Sequence, residues 1–230
     1  MDLFLCLDTS TPTARVAVLD GAGAARDVRE ATADRHSSHV LALCAEALRA
    51  AGTSPGALAG IGCGGGPGSF TGLRVGLAVA KGLALPTGAA LYVVSSLEAL
   101  ALDVLEARGP EVTAIPCLDA GKGEVYVGAY VADAERLVRE LRGACRLAPA
   151  AVSAWAAELA RPAIAGNGAD RHAAELGALA PAVASVGGPT AISIGRLALL
   201  QRARGEAADL ERVVPFYGRP PDITVKAPKT

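Results

Sequence analysis

Leu3-Phe4-Leu5-Cys6-Leu7-Asp8-Thr9-Ser10-Thr11 is the stretch on which the fold turns: a nearly continuous apolar run that stops at an aspartate followed by hydroxyl residues. Such a run reads as a buried strand, and the aspartate with its small polar successors reads as a turn at the strand's end. The same plan returns in the second half, where Val112 to Leu118 is apolar and Asp119-Ala120-Gly121-Lys122 follows. Each run is succeeded by a second strand, Arg15 to Leu19 or Glu124 to Val131, and by a third, Ala25 to Glu30 or Arg136 to Arg142. Pro116 is the discordant residue, because proline has no N–H to give to a ladder.

Beyond each set of three strands, helices and strands alternate. In the first round Ser37 or Ser38 caps a helix that carries Val40, Leu41, Cys44, Leu48 and Ala51 at helical spacing and stops at Gly52. A strand Gly60 to Gly64, a helix Phe70 to Leu83, a strand Ala90 to Val94 and a helix Ser96 to Ala107, capped by Ser96, follow. The second round has a helical segment Val152 to Leu159, a strand Ala163 to Gly166, a helix from Asp170, a short strand near Val183 and a helix Thr190 to Arg204. Two such rounds predict a duplicated α/β unit with mixed sheets: one domain over 1–107 and a second over 108–212, parted at Arg108-Gly109-Pro110. The stretch 213–230, with Pro215, Pro220, Pro221 and Pro228, is expected to be an extended, partly loose tail.

The composition supports one large domain or two small ones: 230 residues, 51% of them hydrophobic and 20% charged, can bury a sizeable core. With 22 Lys and Arg against 23 Asp and Glu, no overall basic field gathers nucleic acid, so tight RNA binding by this chain alone is not expected. Five cysteines, at 6, 44, 63, 117 and 145, form no CxxC pair and read as reduced, buried thiols, which predicts a cytoplasmic protein. The apolar run at the N-terminus is too short for a secretory leader or a membrane span, so no membrane association is expected.

The most specific string is Gly64-Gly65-Gly66-Pro67-Gly68-Ser69-Phe70-Thr71-Gly72-Leu73-Arg74-Val75-Gly76. Its place between a strand and a helix suits a phosphate cradle, but the string lacks the GK[ST] ending of a Walker A loop and matches the Rossmann spacing only loosely. A second reading fits better. Gly68, Gly72, Gly76, Ala80 and Ala84 recur every four residues, leaving a helix face with no side chain beyond a methyl, on which another backbone can approach closely. The rest of the helix is apolar too, which marks either a core helix or one covered by a partner.

Asp8 and Asp119 read in two ways. As a pair of strand-end carboxylates facing a shared cleft they would hold a metal and phosphates; otherwise each merely caps a turn. Ser10 stands where a glycine would let a phosphate approach, which argues against a working ATP site. His36 and His39 lie three apart, with His172 as the remaining histidine, too few for a metal centre. Ser69 lies in no GxSxG context, so a hydrolase triad is not expected.

Together, Leu5-Cys6-Leu7-Asp8-Thr9-Ser10-Thr11, His36-Ser37, the string Gly66 to Gly76, Leu118-Asp119-Ala120, Gly123-Glu124-Val125-Tyr126, Gly166-Asn167-Gly168-Ala169 and Pro215 with Tyr217 and Arg219 resemble the bacterial TsaB (YeaZ) family over nearly the whole chain. Gly121-Lys122 departs from the basic pair that many relatives carry after Asp-Ala. The resemblance implies an α/β, duplicated actin/hexokinase/Hsp70-like (RNase H-like) fold with degenerate phosphate motifs. It further implies a noncatalytic subunit in the synthesis of N6-threonylcarbamoyladenosine in tRNA, next to the anticodon. The implied partners are TsaD, which holds the metal and transfers the group, and the small ATPase TsaE; alone the protein would be a homodimer, and tRNA would be reached through the complex. The family's interface, carried over, falls on Ser37, Val40, Phe70, Gly72, Leu73, Gly76, Val79, Ala80 and Leu83. Asp8, Ser10 and Asp119 would line a degenerate nucleotide cleft, with no catalytic or metal-binding residues assigned. No cofactor is expected to bind this chain tightly by itself, while the complex leaves room for ATP or ADP at the interface. The rival reading is a nucleotide-dependent enzyme of the sugar kinase and ATPase superfamily that uses Asp8 and Asp119.

Overall fold

The computed structural model describes residues 2–32, 38–135, 137–179 and 187–217. The expected strand near Val183, the starting residue Arg136 of the third strand of the second round, and His36, Ser37 and Arg219 lie outside the described residues. β1 (Leu3–Asp8), β2 (Thr13–Asp20) and β3 (Ala25–Thr32) form an antiparallel meander, and α1 (Ser38–Ala50), β4 (Leu58–Gly64), α2 (Phe70–Thr87), β5 (Ala90–Val94) and α3 (Ser96–Arg108) follow. The second round runs through β6 (Thr113–Gly121), β7 (Glu124–Asp133), β8 (Leu137–Leu147), α4 (Pro149–Ala156), β9 (Pro162–Ala165), α5 (Asn167–Arg171), α6 (Ala173–Leu176) and α7 (Ala191–Ala203).

The sheets have the orders β3-β2-β1-β4-β5 and β8-β7-β6-β9, so the first strand of each round sits inside, antiparallel to its hairpin partner and parallel to β4 or β9. Strand periodicity divides the core. Phe4, Cys6, Ala17 and Leu19 face one side of the first sheet, Leu5, Leu7, Val16 and Val18 the other. Pro116 stands in the inner strand β6 with Gly128 opposite it on β7 and Ala165 beside it on β9, at the point where the β7–β8 ladder shifts. Lys122 and Gly123, both with positive φ, close the β6–β7 hairpin, as a two-residue turn with the strands' own twist requires.

Five layers result. α1 and α2 cover the outer face of the first sheet, and α4 to α6 cover that of the second. Between the sheets lie α3 and α7, each packed against the sheet of the other half: α3 on β6 to β9, α7 on β1, β2, β4 and β5. One apolar core therefore runs from Phe4 and Tyr92 through Leu97, Leu100, Ile194 and Leu197 to Leu118 and Tyr126. Asp103 of α3 ties the two helices by accepting hydrogen bonds from Thr190 N (2.8 Å), Thr190 Oγ1 (2.7 Å) and Ser193 Oγ (2.5 Å) at the start of α7.

The chain beyond α7 is not loose where it is described. Ala208 N donates to Leu91 O (2.7 Å) along the free edge of β5, Phe216 N donates to Gly65 O (2.7 Å), and Tyr126 Oη donates to Tyr217 O (2.8 Å). Residues 205–217 thus form a strap from the first sheet, across the glycine-rich loop, to the second. Among the described residues no helix is long and apolar enough to cross a membrane. The five thiols are free; burial pushes those of Cys6, Cys44 and Cys117 up to about 12, whereas Cys145 on β8 is only half-buried.

Candidate functional site

Both strand-end aspartates make the same local turn: a carboxylate oxygen accepts the N–H two residues on, Asp8 Oδ1 from Ser10 N (2.9 Å) and Asp119 Oδ1 from Gly121 N (3.0 Å). Asp8 is fully buried and held on its other sides, by Ser10 Oγ (2.7 Å) and by Ser96 Oγ (3.1 Å), while Gly64 lies so close that a Cβ there would collide with Oδ2. Burial raises its carboxyl above the usual range, against the hydrogen bonds from Ser10 and Ser96. Asp119 is less enclosed and pairs with Arg171 Nη1 at 2.7 Å, while Asn167 Oδ1 accepts its N–H (3.1 Å). Of the two readings of Asp8, the turn cap describes its contacts: its acceptor sites are turned onto Ser10 and Ser96 of its own chain.

The glycine-rich loop is likewise engaged internally. Gly65 N donates to Val94 O (2.7 Å), Gly66 N to Ser96 Oγ (3.2 Å), Ser69 N to Ser10 O (2.7 Å) and Gly72 N to Ser69 Oγ (3.2 Å). A phosphate cradle needs such N–H groups free. Ser69 is the N-cap of α2, and Ser10 is locked between Asp8 and the loop, so neither is poised as a nucleophile. His39 is exposed, and among the described residues no three His, Cys, Asp or Glu side chains are grouped to hold a metal. Ser95, not Ser96, caps α3, accepting from Glu98 N (3.3 Å); Ser96 is freed to join Asp8 to the loop.

The small-residue stripe of α2 does admit a close backbone, but it is the chain's own. A Cβ on Gly68 would strike Ser10, one on Gly72 the Thr9 carbonyl, and one on Gly76 the Thr9 hydroxyl, which donates to Gly72 O (2.7 Å); Ala80 and Ala84 are fully buried in the core. Gly72, Gly76 and Ala80 are therefore excluded as the contact with a partner helix. Leu73 and Val40 are buried as well. Of the nine residues read as an interface, Phe70, Val79 and Leu83 remain on the outer face, and Ser37 lies outside the described residues.

That outer face is apolar and open. Leu41 of α1 (51% exposed) and Arg74, Val75, Ala78, Val79, Gly82 and Leu83 of α2 line a groove of ≈ 630 Å³. At its head stands Phe70, with Arg74 stacked on its ring at 4.3 Å and Tyr217 of the strap beside it at 4.8 Å between centroids. Arg74, Val75 and Leu41 escaped notice as surface residues because an all-round apolar helix does not declare which side faces out. The outward direction follows only once Thr9 is seen to fill the stripe.

Two inner strands ending in aspartate turns, in duplicated mixed sheets with helices between them, define an actin/hexokinase/Hsp70-like chain whose phosphate elements are folded in on themselves. The family model described as TsaD, tRNA N6-adenosine threonylcarbamoyltransferase, matches residues 28–189. The Escherichia coli K12 tRNA threonylcarbamoyladenosine biosynthesis protein TsaB is 33% identical over 129 residues, 56% of this chain and 55% of that one. In that alignment the chain spans about half the length of its curated relative. YeaZ from Pseudomonas aeruginosa superposes with a TM-score of 0.78 at 30% identity, over 94% of this chain and 100% of the other. A second structure, described by its similarity to peptidase YeaZ from that organism, gives 0.82 at 32% identity, over 95% and 100%. This chain belongs to the TsaB/YeaZ family, within the wider family that the TsaD model describes.

Proposed function

We propose that this chain acts in the synthesis of N6-threonylcarbamoyladenosine in tRNA, in the cytoplasm, as a noncatalytic subunit that binds a TsaD-type transferase through the outer face of α1 and α2. The observation that carries the reading is the groove between Leu41 and Val79: the outward side of a helix pair that packs its other side on the first sheet, lined chiefly by apolar side chains and left open. Exposed apolar patches of this kind mark interaction sites. The internal engagement of Asp8, Ser10 and the glycine-rich loop favours a subunit over a nucleotide-dependent enzyme, because a phosphate would have to displace Ser69 N from Ser10 O and Gly66 N from Ser96 Oγ. In this reading a second copy occupies the same face when the transferase is absent, TsaE joins the assembled pair, and tRNA is met by the complex.

The test is co-purification with the organism's longer TsaD-type homologue, followed by nucleoside analysis of tRNA treated with the chain, the homologue, or both. Co-elution and modification that requires both proteins are expected. Modification by the chain alone, or full modification by the homologue without it, overturns the assignment.

A further inference from the structure

The strap brings Tyr217 to the head of the groove across 143 residues of sequence, and there its hydroxyl accepts from Arg74 Nε at 3.2 Å while its ring lies against Phe70. The three side chains form one cluster: the Arg74 guanidinium lies over the Phe70 ring at 4.3 Å, and Tyr217 touches both. Phe70 is 45% exposed and, among the described residues, no carboxylate pairs with Arg74. An exposed aromatic ring and an arginine with open guanidinium donors are the residue types that dominate binding energy when a partner closes over them. Left to themselves, both would move among rotamers, and ordering them on binding costs affinity.

We propose that Tyr217 is a positioning residue of the partner face: the strap holds Phe70 and Arg74 in place at the head of the α1/α2 groove, for a protein partner that lays an apolar segment in the groove and sets a carboxylate against Arg74. The partner is a protein of this chemistry because the groove is lined by Leu41, Val75, Val79 and Leu83, with Arg74 as the cation among them. This inference rests on the partner-face reading above. Replacing Tyr217 by alanine leaves the strap's backbone attached, since Phe216 N still reaches Gly65 O and Tyr126 Oη still reaches the carbonyl of residue 217.

The experiment measures the affinity of the full chain for the purified TsaD-type homologue by titration calorimetry, with thermal melts of every variant. Tyr217→Ala is expected to weaken association about ten-fold, and Tyr217→Phe, which keeps the ring on Phe70, to stay within about three-fold of the wild type. In a Phe70→Ala/Arg74→Ala background Tyr217→Ala is expected to add less than about two-fold, because it acts through those two side chains; full additivity would mean a general structural role and overturn the proposal. Val79→Asp, in the middle of the groove, separates the two ideas. If Val79→Asp abolishes binding while Tyr217→Ala stays within about two-fold, the positioning role is wrong and the partner face stands. If Val79→Asp leaves binding unchanged, the partner-face reading fails and takes the proposal with it.

Discussion

Gly76 and Gly82 lie on the same helix and invite the same substitution with opposite results. Nothing lies within 4 Å of a Cβ built on Gly82. Gly82→Ala therefore gains the helix preference of alanine over glycine, about 1 kcal/mol, and should raise Tm by about 2–4 °C for a chain of this size. Gly76→Ala gains the same preference but drives its methyl into the Thr9 hydroxyl. Overpacking of this kind costs about 1–3 kcal/mol, and displacing Thr9 forfeits its hydrogen bond to Gly72 O, worth about 1 kcal/mol. Subtracting the helix gain leaves a net loss of about 1–3 kcal/mol and a fall in Tm of about 2–12 °C. Urea and thermal melts of the isolated chain read the stability, and titration against the TsaD-type homologue reads the face; the folded Gly76→Ala chain should bind within about two-fold of the wild type, its outer surface being unaltered. Undiminished stability in Gly76→Ala combined with weakened association would refute this account and return the stripe to the partner.

Three further outcomes follow from the aspartates. Asp103, whose carboxyl is raised to about 6 chiefly by burial, against the hydrogen bonds from Ser193 and Thr190, binds its proton more tightly folded than unfolded. Its contribution to stability should therefore grow as pH falls from 7 to 5 and level off below the ordinary aspartate value near 3.8; urea midpoints should show a gain of about 1 kcal/mol over that interval in the wild type relative to Asp103→Asn, and parallel profiles would contradict it. Asp8→Ala strands Ser10 N, Ser10 Oγ and Ser96 Oγ, and should cost about 1–3 kcal/mol of stability. At matched concentrations of folded protein, Asp8→Ala and Asp119→Ala should leave modification by the reconstituted complex near the wild-type rate, and lost turnover with intact assembly would make the aspartates catalytic.

Where local chemistry decides the structure, the sequence is informative. The apolar runs ending at Asp8 and Asp119 give the two inner strands, and a short polar side chain at a strand's end gives the Asx turn that both adopt. Strand Ala90 to Val94 is legible to the residue, bounded by Gly88 and by Ser95. Errors arise where the deciding contact is distant. The repeat of small residues from Gly68 to Ala84 states that a backbone comes close, but not that it belongs to Thr9 and Ser10, some sixty positions away. Of two adjacent serines before α3 only one can cap, and the choice between Ser95 and Ser96 is made by Asp8 on another strand. α2 runs on to Thr87, past the expected end at Leu83, because Ala80 and Ala84 are buried in the core and Gly88, with φ 70°, supplies the left-handed C-cap. The strap is the extreme case: Val213 to Tyr217 has no periodicity, and its order comes from Gly65, Arg74 and Tyr126.

The exchange of α3 and α7 between the sheets bears on how the protein is made. β1 to β5 are all synthesised by residue 94, yet the helix that packs along the inner face of their sheet, with Phe4, Cys6 and Leu19, is α7, which ends at residue 203. At the usual elongation rates that interval is about 5–20 s, during which a finished sheet offers an uncovered apolar surface on the ribosome. A nascent chain arrested anywhere between these points is a natural client for a holding chaperone, and a gene cut at the junction of the two rounds would yield two sticky fragments, each carrying the helix that the other needs.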